Sequence, residues 1–351
     1  MPCSVRPDAR CGPRLQCLAM SSPRLSVLLP TRNAGCYLQQ AVDSILSQTY
    51  SDFELLVIDD GTTDDSLKQL DARDPRLRVV SSDGEGIVAA LNTGARHASG
   101  EMFARMDADD IALPQRFERQ LGYLDAYPEV GIVGAQVDIF HDGQPVGEGY
   151  KRYQSWINGL VNPEQIARAI FIESPIPHPT AIIRRSVFER LGGYRDSEWA
   201  EDYDLWLRAH VAGFAMGKPQ EVLLRWRDGA RRLSRTDTRY AIKRFIQAKA
   251  FYLASTHLEI RNAVIWGAGE TGKLLHDALR KQGVFVTGFI DIDPRKIGGK
   301  KRGLLVFPHE KVSELNALIV VAVGARGART QIEEALHKQN LIEGEDYIFA
   351  A

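Results

Sequence analysis

Three acidic residues in four positions carry the most chemistry in this chain: Asp107-Ala108-Asp109-Asp110 follows the run from Glu101 to Met106. Carboxylates crowded at the end of a strand repel one another unless a cation lies between them. Mg²⁺ or Mn²⁺ suits such a place, because these hard ions take oxygen ligands, need one or two carboxylates, and complete their shell with water and phosphate oxygens. The ligand that accompanies the ion is then a nucleoside diphosphate compound, with Asp107 and Asp109 as the metal ligands. A second cluster, Asp59-Asp60-Gly61, closes an earlier apolar run. Either cluster alone also fits a solvated turn or helix cap, since Asp-Gly turns are common. Their recurrence at successive strand ends is what points to a site.

The elements that must position these groups alternate between strand and helix. Leu25 to Leu29 is a short apolar run closed by Pro30, and Leu38, Ala41, Val42, Ile45 and Leu46 then recur at helical spacing. Phe53 to Ile58, Leu77 to Val80 and Glu101 to Met106 read as further strands, with a helix from about Gly86 to His97. Near-continuous apolar strands alternating with helices predict an α/β fold with a mostly parallel central sheet covered on both faces. Ligands bind such sheets at the C-terminal ends of the strands, which is where Thr31-Arg32-Asn33, Asp59-Asp60 and the 107–110 cluster fall.

Length and composition set the frame. The chain has 351 residues, 44% hydrophobic and 25% charged, with 44 Lys+Arg against 45 Asp+Glu. That is ordinary globular composition, long enough for two or three domains, and it excludes disorder, collagen and coiled coil as the main account. A formal charge of -1 gives no global pull toward nucleic acid. The longest apolar candidate, Leu315 to Ala325, is too short to span a membrane and contains Asn316 and Gly324. Cysteines at 3, 11, 17 and 36 have neither disulfide nor zinc spacing, which predicts reduced thiols and a cytoplasmic protein. Residues 1–22 carry Arg6, Arg10 and Arg14 without an apolar core; they read as a disordered tail or an over-extended start with order beginning after Met20, a transit peptide being the other reading.

Five words in order resemble family 2 glycosyltransferases of the GT-A fold: Ser26-Val-Leu-Leu-Pro-Thr-Arg-Asn33, Ser44-Ile-Leu-Ser-Gln-Thr49, Val57-Ile-Asp-Asp-Gly-Thr-Thr-Asp64, Arg105-Met-Asp-Ala-Asp-Asp-Ile111 and Trp199-Ala-Glu-Asp-Tyr-Asp-Leu-Trp-Leu-Arg208. The resemblance covers the first 235 or so residues and implies a nucleotide-sugar-binding domain over 23–235. It implies that Thr31 and its neighbour Arg32, with Asp60 and Asp59, contact the base and ribose. It implies further that Asp107 and Asp109 form the metal-binding Asp-x-Asp and that Asp202 is the general base. Arg32 departs from the aromatic residue usual at its position, so the base is left open. The reaction implied is inverting, metal-dependent transfer of a sugar from a nucleoside-diphosphate sugar to a hydroxyl, on a saccharide or lipid-linked acceptor in cell-surface polysaccharide or lipid-linked oligosaccharide synthesis. Asp202 also sits where a helix welcomes acids, the structural alternative to a base.

The remaining motifs keep two readings each. His178, in Pro177-His-Pro-Thr180, is either a hydrogen-bond partner of acceptor or diphosphate or a structural histidine, and Trp199 is a candidate for stacking on a sugar. Trp206 falls on the apolar stripe of its helix. The basic stretch Arg225 to Arg235, with Arg232 at its centre, suits a diphosphate clamp, peripheral contact with an anionic membrane, or a solvated linker surface. A helical linker over 236–260 then leads to a small Rossmann-like unit over 261–351. There Gly267-Ala-Gly269-Glu-Thr-Gly272 follows a strand and opens a helix, and Asp291 ends the next strand where a ribose-binding acid belongs. This unit either binds a nucleotide such as NAD(P), making the chain an oxidoreductase or nucleotide sensor, or serves structure and assembly. An inactive scaffold is disfavoured by the crowded carboxylates. A sugar-nucleotide pyrophosphorylase is disfavoured because its glycine-rich loop is missing between Pro30 and Gly35.

Overall fold

The computed structural model describes residues 22–229 and 232–351. Apart from Ser22, the tail expected over 1–22 lies outside the described residues, as do the expected start at Met20 and Cys3, Cys11 and Cys17; Cys36 is a free, exposed thiol.

Seven strands form the first sheet, in the order Leu77–Ser81, Phe53–Asp59, Leu25–Thr31, Met102–Arg105, Ile182–Arg184, Val130–Val133, Ala215–Gly217. The first four run parallel, and Ile182–Arg184 is antiparallel to both of its neighbours. Every residue of Leu25–Thr31 is buried, as a strand covered on both faces requires. Successive side chains serve opposite faces. Leu28, Leu56, Ile58 and Phe103 enter one apolar core, and Val27, Leu29, Leu55, Val57 and Ala104 enter the other. Helix Tyr37–Leu46 buries Leu38, Ala41, Val42 and Ile45, the face expected from its spacing, against the second of these cores.

A small sheet of Ile111–Ala112, Val222–Arg227 and Gln136–Phe140 lies beside the acidic loop. A second large sheet, ordered Lys300–Lys301, Leu304–Pro308, Val286–Asp291, Ala263–Trp266, Leu318–Val321, Tyr347–Phe349, follows the helix Ile242–Ala254. One apolar core runs from Leu28 under the first sheet to Ala350 beyond the second, through Ile246, Ala250 and Leu253 of that helix. Lys249 is buried at the junction, where its ammonium donates to the carbonyls of Ile172 (2.8 Å) and Ala350 (3.0 Å). Among the described residues no helix is long and apolar enough to cross a membrane.

Candidate functional site

Parallel strands deliver their polar ends to one edge. Leu25–Thr31 and Phe53–Asp59 end there, and Met102–Arg105 leads into the acidic loop two residues later. The loops are tied across strands by their own polar groups. Asn33, at φ 55°, accepts from the amides of Thr63 (2.8 Å) and Asp64 (3.1 Å). Asp59 accepts from the Thr62 amide at 2.7 Å, and Asp60 from the Gly86 amide at 2.7 Å. Burial pushes the Asp60 carboxyl up, against the pull of the Gly86 amide and then of Arg32, whose guanidinium lies 3.9 Å away.

Asp107, Asp109 and Asp110 bring carboxylate oxygens within 4.8 Å of one another. Asp110 is 1% exposed; one oxygen accepts from the Arg227 amide at 2.8 Å and the other is buried with no partner. Burial, and after it the charges of Asp107 and Asp109, raise its carboxyl well above the ordinary range. The Asp109 carboxyl is pushed up to about 6 by burial and then by Asp107. An all-oxygen donor set, a stranded buried oxygen and carboxyls that resist ionisation together fit a hard divalent cation. Sequence spacing selected Asp107 and Asp109; Asp110, in the same word, joins them.

Two arginines hold this loop. Arg227, at the end of Val222–Arg227, donates its amide to Asp110, its Nε to the Asp109 carbonyl (2.6 Å) and a guanidinium N–H to Gln40 (2.6 Å), and pairs with Asp142. The basic stretch is therefore partly a scaffold for the acids rather than a free surface. Arg232 lies over the Trp226 ring at 4.3 Å, and its charge favours ionised Asp109. Arg105 was passed over in the sequence although it begins the Arg-Met-Asp word. Its buried guanidinium pairs with Asp107, and its charge favours the ionised forms of Asp109, Glu201 and Asp202. It is the cation shared by the two carboxylate groups.

Asp202 lies in the first turn of helix Glu201–Val211, half-buried, and accepts from the Tyr203 amide at 2.7 Å. Burial first, and then the neighbouring charge of Glu201, push its carboxyl up to about 8. Glu201, 1% exposed, accepts the Tyr240 hydroxyl on both oxygens (3.0 and 2.8 Å).

Four of the expected site residues are buried in the fold or engaged by the protein's own groups. Thr31 is 2% exposed with its hydroxyl buried and unpartnered, because it closes a strand covered on both faces; it offers a ligand no accessible side-chain oxygen, and Arg32 is the exposed residue of the pair. His178 is a buried ring whose Nε2 lies 2.8 Å from the Tyr194 hydroxyl, and burial, aided by Arg105, lowers its pKa well below the usual range. It is a neutral ring held by Tyr194 inside the fold, which suits the structural one of its two readings. Trp199 donates its indole N–H to Asp204 at 3.0 Å and packs on Phe251, which commits it to the helix Ile242–Ala254 rather than to a sugar face. Asp204 also accepts from Arg208 (2.7 Å) and the Tyr252 hydroxyl (2.7 Å). Asp291 accepts from the amides of Ala268 and Asp293 (both 3.0 Å) and from Lys296 (2.8 Å), so both oxygens already serve the loop.

Comparisons with known proteins bear on the family and the fold. Residues 26–192 match the family model described as Glycosyl transferase family 2. An uncharacterized glycosyltransferase of Haemophilus influenzae is 33% identical over 58% of this chain and 65% of its own length, so the chain matches just under two thirds of that relative. The amylovoran biosynthesis glycosyltransferase AmsE of Erwinia amylovora is 32% identical over 55% of this chain and 71% of its own. Among solved structures, S. aureus TarS 1-349 in complex with UDP-GlcNAc superposes with a TM-score of 0.54 at 18% identity, covering 73% of this chain and 71% of that one, a likeness of fold. With its mostly parallel sheet, its acids at the sheet edge and these relatives, the chain belongs to glycosyl transferase family 2 and has the GT-A fold.

Proposed function

We propose that the protein transfers a sugar, with inversion, from a nucleoside-diphosphate sugar to the hydroxyl of a saccharide or lipid-linked acceptor, in a metal-dependent reaction. The observation that carries this reading is the convergence of Asp107, Asp109 and Asp110 at the sheet edge beside Arg105 and Arg232. Asp109 with Asp107 would hold Mn²⁺ or Mg²⁺, and Asp110 supports it from the buried side. When bound, that ion supplies Lewis-acid neutralisation of the departing diphosphate. Arg232, over the Trp226 ring, would add a guanidinium to the same oxygens. Asp59, Asp60 and Arg32 rim the neighbouring strand ends, where base and ribose would lie.

Asp202 would take the acceptor's proton. As the acceptor oxygen bonds to the anomeric carbon from the face opposite the diphosphate, the bond from that carbon to the phosphate oxygen breaks and the hydroxyl proton passes to the Asp202 carboxylate. A carboxyl poised at about 8 is a stronger base than an ordinary aspartate and works best near its own pKa. A single proton-accepting carboxylate suits inversion. The name of AmsE supports a destination in cell-surface polysaccharide synthesis. The UDP-GlcNAc bound by TarS supports a nucleotide-sugar donor. A cytoplasmic setting follows this donor class, and Arg225 and Arg235, the partly exposed cations among the described residues of the 225–235 stretch, suit peripheral contact with a membrane that carries a lipid-linked acceptor.

The test is release of free nucleotide from a panel of nucleotide sugars with and without Mn²⁺. Metal-dependent release that disappears in Asp109→Ala is expected; release indifferent to metal and to Asp109 would remove the reading.

A further inference from the structure

The second large sheet carries a cavity that sugar transfer does not use. It holds about 520 Å³, within the usual span for small-molecule sites, and lies at the C-terminal ends of strands Ala263–Trp266, Val286–Asp291 and Leu318–Val321. Ala263–Trp266 pairs with Val286–Asp291 on one side and Leu318–Val321 on the other, so the chain leaves this strand toward both edges and opens a crevice between them.

Its glycines divide into two kinds. Gly267, at φ 117°, would place a Cβ 2.9 Å from the Ala322 carbonyl oxygen, and Gly272 would place one 1.8 Å from the Gly267 carbonyl oxygen. Packing alone demands these two. Gly269 has extended backbone, φ -88° and ψ -166°, that any residue adopts, and a Cβ there would meet nothing within 4 Å. Gly324 likewise has open space and no left-handed φ. Both line the cavity. The fold gives no reason for either to be bare, and a side chain at either would fill space that is kept clear.

The chemistry of the wall says what the space suits. Helix Glu270–Lys281, twelve residues long, begins at Gly269, which brings no capping side chain to its first-turn amides. Its positive end favours an anion. Asp291 and Lys296, paired at 2.8 Å in the wall, offset one another's charge, and two amides engage Asp291 as well. Trp266, Ile292, Val323 and Ile332 give the wall an apolar, partly aromatic part, a surface for a flat ring, beside the polar Glu270, Thr271, His309 and Gln331.

We propose that this cavity binds a mononucleotide, with its phosphate at the amide end of the helix and its base against the apolar part of the wall. The volume lies within the range of sites that hold a nucleoside phosphate. The site is independent of the acidic cluster at the first sheet.

Calorimetry on the intact protein in EDTA, which silences the metal-assisted site, tests this with AMP, GMP and UMP, and with NAD⁺ as the larger probe. Saturable binding of at least one mononucleotide is expected, unchanged in Asp109→Ala and weakened at least about tenfold in Gly269→Val, whose nucleotide release from sugar donors stays at the wild-type rate. Gly324→Val serves as the second filled cradle if the first variant misfolds. The proposal is overturned if no mononucleotide binds, if only NAD⁺ binds, if binding survives both valines, or if Asp109→Ala abolishes it.

Discussion

Replacing Asp202 by asparagine separates a buried base from a helix-stabilising acid by the sign of the stability change. In the folded protein the carboxyl is raised from 3.8 to about 8, chiefly by burial and next by Glu201. A raised carboxyl is still protonated in the fold when the unfolded chain has already ionised, so the wild type loses stability as pH climbs from about 4 to about 8. At about 1.4 kcal/mol per pH unit the gap sets a ceiling on the order of 6 kcal/mol. Partial access of solvent and the coupling to Glu201 reduce the expected value to about 2 kcal/mol. Asparagine does not ionise, so Asp202→Asn should be more stable than wild type by about 2 kcal/mol at pH 9, an advantage that vanishes below pH 4. A surface acid acting only on the dipole of helix Glu201–Val211 gives the opposite sign, a loss of about 0.3–1 kcal/mol at pH 9. The same variant loses the proton acceptor, and turnover should fall by about 10²–10⁴. Melting curves at pH 4 and 9, paired with nucleotide release at saturating donor, measure both effects. A variant that is less stable at pH 9 and turns over normally would refute the assignment of a buried base.

Other outcomes follow from the same geometry. Nucleotide release by the wild type should rise with pH through an inflection near 8, set by ionisation of Asp202, and a flat profile between pH 6 and 9 would contradict this. Asp109→Ala should lose metal-assisted uptake of nucleoside diphosphate in calorimetry while melting no lower than wild type in metal-free buffer at pH 8, because it removes a carboxylate raised to about 6 by burial and Asp107. Asp204→Ala strands the buried Arg208 guanidinium and two further donors, and should cost about 3–5 kcal/mol in chemical denaturation; a loss below about 1 kcal/mol would show that the network carries no weight. Gly272→Ala should cost about 1–3 kcal/mol through the clash with the Gly267 carbonyl, whereas Gly269→Ala should be nearly neutral.

The sheet and its functional edge were legible because local pattern and tertiary role coincide there. Leu25 to Leu29, Phe53 to Ile58 and Leu77 to Val80 are apolar runs with polar stops, and parallel pairing sends all those stops to one side. The acids were legible for the same reason. What stayed hidden was which distant group meets each side chain. Arg227 and Asp110 are 117 positions apart, and only the fold shows that the basic stretch braces the acidic loop. Trp199 looked free for a sugar because its partners Asp204 and Phe251 meet it only when two helices pack. Asp291 occupies the position where a ribose-binding acid belongs, yet Lys296, five residues on, claims it through a turn that residue type alone does not specify. Arg105 was invisible as a coupling element because the charges it joins, at 107 and at 201–202, converge only across the sheet edge.

The lysine at the junction of the two sheets makes the last ninety or so residues harder to discard than an appendage. Lys249 holds one carbonyl from each side, and the greasy interior beneath it is continuous. Trimming the chain after Ala254 would bare the inner flank of that helix and leave a dehydrated ammonium short of one acceptor. The shortened protein should clump rather than work, so a gene fragment that keeps every catalytic word can still fail for want of its keystone.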